Sequence, residues 1–112
     1  MNETPADRQS QCFLGLLQSL VTSAWIQLGK QKNFMTQTTA VNLEAAAYTI
    51  EILEALQART RGNLTADENR FLEQSLTALR MNFIQVKLPK FFDISEQYEL
   101  VIIFLIKIQC GF

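Results

Sequence analysis

"FLGLLQSLVTSAWIQLG", residues 13–29, contains no charged side chain, and the uncharged run extends from residue 9 to residue 29. On a helical wheel its large apolar side chains cover about half of the circumference. Each contributes roughly 1.5–3 kcal/mol on burial, so together they outweigh the roughly 5–15 kcal/mol that holds a domain folded. Protein or membrane must therefore cover this helix. Which of them covers it decides the fold.

The other half of this helix is polar, but its side chains are small and uncharged. Gly15, Ser19 and Ser23 recur every four residues, a spacing that allows a second backbone to approach closely. Chance also produces such stripes, but a face in water normally displays Lys and Glu. Unless the C-terminal segment covers this face, we expect a second copy of the chain to cover it. The residues predicted to mediate this self-association are Gly15, Leu17, Ser19, Leu20, Ser23 and Trp25.

A membrane is the alternative cover for this helix. The run is long enough to span a bilayer. However, Gln18, Thr22 and Ser23 would then lie in the hydrocarbon without partners, so a span is not expected. Peripheral attachment through this helix and residues 100–108 remains the alternative to self-association.

Two further helices follow a Thr- and Gln-rich loop at residues 30–41. Asn42 is a good N-cap for a helix that Gly62 ends, and Thr65 with Glu68 forms a capping box for the next helix. The turn between them is too short for anything but antiparallel neighbours, so they form an αα-hairpin. A heptad-like seam on the last helix is the predicted intrachain core: Leu72, Leu76, Leu79 and Phe83.

The predicted organisation therefore has three parts. Residues 1–10 are expected to be a flexible leader. Residues 11–86 form a helical domain whose first helix stops before Gly29. Residues 87–112 form an atypical hydrophobic tail, for which helix, strand and disorder all remain open. The fold class is all-α: a short helical bundle with an N-terminal apolar helix, a central αα-hairpin and a C-terminal hydrophobic segment.

The composition argues against most chemistry. The net charge is −1, there is no histidine, and the two cysteines lie at opposite ends of the chain without a CxxC motif. Lack of histidine removes the usual general base and the commonest zinc ligand, and the absence of a basic patch argues against nucleic-acid binding. We predict a protein that is not an enzyme, uses no cofactor or metal, and resides in the reducing cytoplasm. A desolvated polar pocket around Tyr48 that includes Glu51 would instead favour an enzyme or ligand-binding protein.

The other charged side chains are expected to be ordinary surface groups. Glu51 and Glu54 are three residues apart and could share one helix face. Folding the hairpin would bring Glu54 near Arg70. The same fold would bring Arg59 near Asp67.

A dispersed pattern of residues spans the two hairpin helices and the turn at residues 60–64: Asn42, Leu43, Glu44, Ile50, Leu53, Glu54, Leu56, Glu68, Leu79 and Arg80. Together with the first helix, this pattern resembles the bacterial domain-of-unknown-function family 1844 over about residues 13–86. The resemblance implies a small, helical, cytoplasmic protein and brings no catalytic residue or substrate. Two segments depart from the family: Asn33-Phe34, where members often have Asn-Pro, and the tail from residue 87.

Overall fold

The computed structural model describes residues 3–88, which form three α-helices. Their bounds are Pro5–Gln27 for α1, Leu43–Arg59 for α2 and Ala66–Lys87 for α3. No strand occurs within the described range, so the predicted all-α bundle is confirmed. The tail predicted at residues 87–112 lies outside the described residues, apart from its first two positions.

The start of α1 differs from the prediction. Residues 5–10 are helical rather than part of a leader, and α1 begins six residues before the predicted start at Gln11. The cause is a capping box: Asp7 N–H donates to Thr4 Oγ1 over 3.1 Å, and Thr4 N–H donates to Asp7 Oδ2 over 3.2 Å. Pro5 occupies the first helical turn, where its missing N–H costs nothing.

The end of α1 confirms Gly29 as the stop. Gly29 N–H donates to the Ile26 carbonyl and Lys30 N–H to the Trp25 carbonyl, both over 3.0 Å, which is the hydrogen-bond pattern of a Schellman motif. Gly29 has a φ of +74°, and a Cβ there would lie 2.7 Å from Val41 Cγ2. Both the backbone conformation and the close approach of Val41 therefore require glycine.

The predicted caps of the hairpin helices are also confirmed. Asn42 Oδ1 accepts the Ala45 N–H over 3.1 Å at the start of α2. At the start of α3, Glu68 N–H donates to Thr65 Oγ1 over 3.1 Å and Thr65 N–H to Glu68 Oε1 over 2.8 Å. Gly62 supplies the positive φ of +84° in the turn between these helices.

The core lies between all three helices. α2 runs antiparallel to both other helices. Thr49 in the first half of α2 bonds Gln27 at the end of α1, whereas Ser10 near the start of α1 bonds Glu68 at the start of α3. The predicted α3 seam is confirmed: Leu72, Leu76 and Leu79 are fully buried, and Phe83 packs against them while partly exposed. The remaining buried residues of this cluster come from α1 and α2 and their junction: Leu17, Ala24, Leu28, Ala46, Ile50 and Leu53.

The two predicted ion pairs across the hairpin are wrong. Glu54 pairs with Arg80 rather than Arg70, and Asp67 pairs with Arg70 on its own helix rather than with Arg59. Side chains on a helix lean toward its N-terminus. On antiparallel helices this lean carries Arg80 back toward the turn and Glu54 away from it, so they meet although their backbone positions are offset.

Candidate functional site

The outward half of α1 presents a small, uncharged face to solvent. We define the small-residue face as Cys12, Gly15, Leu16, Ser19 and Ser23, which recur at helical spacing on one side of α1. A Cβ at Gly15 would meet no atom within 4 Å, so this position is open to an approaching backbone. Ser19 Oγ donates to the Leu16 carbonyl over 2.8 Å, which leaves its hydroxyl proton satisfied without water.

The structure divides the predicted self-association residues between two environments. Gly15 and Ser19 are exposed and Ser23 is half-buried. Leu17, in contrast, is 0% exposed in the core of a single chain, so it is corrected from the association surface to the intrachain core. Leu20 and Trp25 pack against that core and are only partly exposed.

One exposed apolar residue of the small-residue face was not singled out from the sequence. Leu16 is 47% exposed, although its neighbour Leu17 is fully buried. Gln18 is also exposed and Thr22 half-buried, so residues 3–88 of one chain do not cover the outer half of α1. The sequence could have identified Leu16 only if the rotation of α1 against the core had been known.

Side-chain hydrogen bonds join each pair of helices. Ser10 Oγ of α1 donates to Glu68 Oε2 of α3 over 2.7 Å. Thr49 Oγ1 of α2 donates to Gln27 Oε1 of α1 over 2.7 Å. The third bond links Arg80 Nη2 of α3 to Glu54 Oε2 of α2 over 2.5 Å. None of these pairs is predictable from the sequence alone, because each depends on how two helices are aligned against each other.

The polar contacts of Glu68 stabilise its charged form. The Thr65 backbone N–H and then the Ser10 hydroxyl lower the pKa of the Glu68 carboxyl below its ordinary value of 4.5, while partial burial opposes them. Only 6% of Glu68 is exposed. This carboxylate therefore has a structural role, as a cap of α3 and an anchor for α1.

A shallow groove of about 200 Å³ runs between α2 and α3. Its floor is apolar, and Glu51, Glu54 and Arg80 line its polar edge. Arg80 Nε is buried and has no hydrogen-bond partner among the described residues. Tyr48 is 65% exposed and does not line this groove, so the arrangement differs from the polar pocket that would have favoured an enzyme. The apolar lining consists of Ala47, Ile50, Phe83 and Ile84.

The family model described as "Domain of unknown function (DUF1844)" matches residues 10–85, which is more than half of the chain. The chain belongs to this family. No curated protein and no solved structure matches it. The DUF1844 match covers all of α2 and nearly all of α1 and α3, so the three-helix arrangement described above is the structure of that domain in this chain.

The loop of this DUF1844 chain contains a short ordered turn. We define the 33–38 hairpin as the turn closed by Asn33 and Thr38, which are paired as an isolated bridge. It carries Phe34 and Met35, which are 71% and 92% exposed. Phe34 belongs to the Asn33-Phe34 pair at which the sequence departs from the family. The sequence predicts only a loop here, because neither residue belongs to a periodic pattern.

The described part of the DUF1844 structure has neither a metal-ligand cluster nor a membrane-spanning helix. Within residues 3–88, His, Cys, Asp and Glu side chains nowhere gather in threes as a metal site would require. Over the same residues, no helix has both the length and the hydropathy to cross a bilayer.

Proposed function

We propose that this DUF1844 protein is a non-catalytic self-association or interaction module, and that a second copy binds the small-residue face of α1. The observation that supports it is an exposed helix face without charge. Between residues 9 and 29 no side chain is ionisable except the thiol of Cys12, yet residues 3–88 of one chain leave the outer half of α1 open to solvent. A helix face that functions only as a solvated surface normally displays Lys and Glu.

Three properties of this face suit close packing of two helices. Gly15 has open space above its backbone, and Ser19 can be buried at low cost because its hydroxyl already donates within the helix. Leu16, which lies between them in the stripe, offers an apolar side chain that a second copy would cover. Two α1 helices crossing near these residues would therefore bury apolar surface without leaving a charge unpaired.

We also propose that this module is a bacterial protein and that it resides in the cytoplasm. The exposed free thiol of Cys12 is compatible with a reducing compartment. The family resemblance of the sequence supplies the bacterial part of the proposal.

Light scattering on the purified 112-residue chain tests self-association. The wild-type protein is expected to have a mass above the 12.8 kDa of one chain. Ser19→Lys places a charge in the centre of the small-residue face and is expected to return the mass to one chain. Gln74→Lys, at an exposed position of α3, is the matched control and is expected to retain the wild-type mass. Circular dichroism confirms that both variants are folded.

If wild type and both variants all have the mass of a single chain at high concentration, the self-association proposal is wrong. If the two lysine variants lose mass equally, the small-residue face is not the interface. Peripheral attachment through α1 itself gains no support, because Leu17 and most large apolar side chains of that helix face the core. The other segment of that alternative, residues 100–108, lies outside the described residues.

A further inference from the structure

The 33–38 hairpin holds two large apolar side chains in water on an ordered turn. Asn33 N–H donates to the Thr38 carbonyl over 2.9 Å, and Gln37 N–H to the Asn33 carbonyl over 2.8 Å. Asn33 Oδ1 accepts the Met35 N–H over 2.8 Å, and Gln37 Nε2 donates to the Phe34 carbonyl over 2.9 Å. These bonds fix the turn while leaving Phe34 and Met35 exposed. The described part of the chain therefore has an apolar tip that lies outside its core.

Lysines lie next to this hairpin in sequence and at the same end of the bundle. Lys30 and Lys32 precede it and are exposed, and the chain has no Asp or Glu from residue 8 to residue 43. Lys30 Nζ donates to Gln85 Oε1 over 3.4 Å, which brings the last turns of α3 to the same end of the bundle. Lys87, also exposed, lies in the final turn of α3. Three lysines thus accompany the hairpin at this end.

We propose that the 33–38 hairpin docks on an anionic lipid bilayer, with Phe34 and Met35 entering the headgroup region. Lys30, Lys32 and Lys87 then lie near lipid phosphates. Apolar side chains combined with basic residues are the two contributions that hold peripheral proteins on anionic membranes. The proposal goes beyond self-association, since it uses different residues and a different kind of partner.

A lipid surface fits this feature better than a protein groove does. Stable protein interfaces bury about 800 Å² on each partner, which is far more than two side chains on a six-residue turn provide. A bilayer needs no matching shape and accepts a small apolar tip directly. In a protein complex, Lys30, Lys32 and Lys87 would need carboxylates at matching positions. An anionic lipid surface attracts all three lysines without such matching.

Vesicle co-sedimentation with the full chain is the test, using phosphatidylcholine vesicles with and without phosphatidylglycerol. Wild type is expected to bind the anionic vesicles at low salt and to bind less at high salt. Phe34→Ser combined with Met35→Ser is expected to weaken binding about tenfold or more. Lys30→Gln combined with Lys32→Gln is expected to weaken it about fivefold for each lysine removed.

The control substitutions lie outside the hairpin and its three lysines. Arg59→Gln with Arg61→Gln removes two exposed cations at the far end of α2, and Met81→Ser removes an exposed apolar side chain of α3. Both controls are expected to bind like wild type. As a second readout, Phe34→Trp is expected to shift its emission to shorter wavelength when anionic vesicles are added, whereas Met81→Trp is not.

The proposal is overturned if folded wild type does not bind anionic vesicles at low salt. It is equally overturned if the hairpin variants bind like the controls, because lipid contact then lies elsewhere in the chain. Loss of mass in light scattering by the Phe34 and Met35 variant, without vesicle binding by wild type, would assign the hairpin to a protein contact instead. Self-association is measured as mass and lipid docking as bound fraction, so either proposal can fail alone.

Discussion

Ser10 Oγ donates a 2.7 Å hydrogen bond to Glu68 Oε2, and this bond fastens the second turn of α1 to the first turn of α3. The other oxygen of the same carboxylate accepts the Thr65 N–H over 2.8 Å as part of the α3 capping box. One carboxylate therefore both starts a helix and positions its neighbour. The two bonds explain why a carboxylate is tolerated at a site that is almost completely buried.

Ser10→Ala is expected to destabilise the fold by roughly 1–2 kcal/mol at neutral pH, since it removes a hydrogen bond to a charged acceptor. The matched control Ser19→Ala, whose hydroxyl bonds only within its own helix, is expected to change stability by less than about 0.5 kcal/mol. Urea unfolding at low protein concentration measures both variants. Equal effects of the two substitutions would contradict the role given to the Ser10–Glu68 bond.

The stability difference between wild type and Ser10→Ala is expected to depend on pH. Hydrogen bonds lower the pKa of Glu68 in the folded protein below its ordinary value of 4.5. The stabilisation is therefore fully present above that value and is lost as pH falls through the lower, folded-state pKa. Unfolding curves between neutral and acidic pH should show the two proteins converging in acid. A constant or growing difference would rule out this linkage.

The three glycines of the described residues are expected to respond differently to alanine. Gly15→Ala should stabilise the folded monomer by about 0.5–1 kcal/mol, because Gly15 is helical and its Cβ position is empty. Gly62→Ala should cost about 1–2 kcal/mol for a positive φ alone. Gly29→Ala should cost more than Gly62→Ala, because a Cβ would also collide with Val41 Cγ2.

Thermal or urea unfolding of the three variants provides this ranking, with Gly15→Ala as the internal control for helix propensity. The comparison separates backbone strain from steric overlap, since both act at Gly29 and only strain acts at Gly62. If Gly29→Ala is no worse than Gly62→Ala, the contact with Val41 is not limiting, and the loop can move at little cost.

Removing the Glu54 charge from the Glu54–Arg80 pair is expected to lower the free energy of unfolding. The side chain of Arg80 is 13% exposed and that of Glu54 is 39% exposed. Glu54→Gln leaves the mostly buried guanidinium without its counterion and should cost about 1–3 kcal/mol. The control Glu51→Gln, at an exposed carboxylate of the same groove, should change stability by less than about 0.5 kcal/mol.

Replacing both members of that pair distinguishes pairing from packing. Glu54→Leu combined with Arg80→Leu should be close to neutral, because an apolar pair avoids the desolvation cost of the buried charge. Chemical denaturation of the single and double variants completes the measurement. A double variant that is as unstable as Glu54→Gln would show that the packing of the Arg80 stem, not its charge, holds α2 and α3 together.

Local signals in the sequence were sufficient to predict the helices. Asn42, Gly29 and the Thr65–Glu68 box act through hydrogen bonds within a few residues, so their roles are visible without a fold. Thr4 and Asp7 carry the same capping signal, but the polar composition of residues 1–10 favours a leader, so the predicted start of α1 is six residues too late.

Relations between helices were not predictable in the same way. The Glu54–Arg80 pair depends on the lean of two long side chains along antiparallel helices, and the Ser10–Glu68 bond on how α1 lies against α3. The rotation of α1 about its own axis, relative to the core, was not predictable either. Its apolar residues cover so much of the wheel that the sequence alone does not decide which of two adjacent leucines faces the core.

Leu16 and Leu17 are the leucines that test this rotation. Leu17→Ala is expected to destabilise the monomer by about 2–5 kcal/mol, because its side chain is 0% exposed and its loss leaves a cavity. Leu16→Ala is expected to cost less than about 0.5 kcal/mol in monomer stability, because 47% of the residue is already exposed. Urea unfolding at low concentration compares the two variants, since both change leucine to alanine at adjacent positions of one helix.

Light scattering of the same pair then separates folding from association. Leu16→Ala, which remains folded, is expected to weaken self-association because it removes the largest exposed apolar side chain of the small-residue face. Leu17→Ala is expected to lose folded protein first, and its remaining folded fraction should associate like wild type. If Leu17→Ala is the stable variant and Leu16→Ala the unstable one, α1 is rotated relative to the core, and the small-residue face is not the surface that a second copy meets.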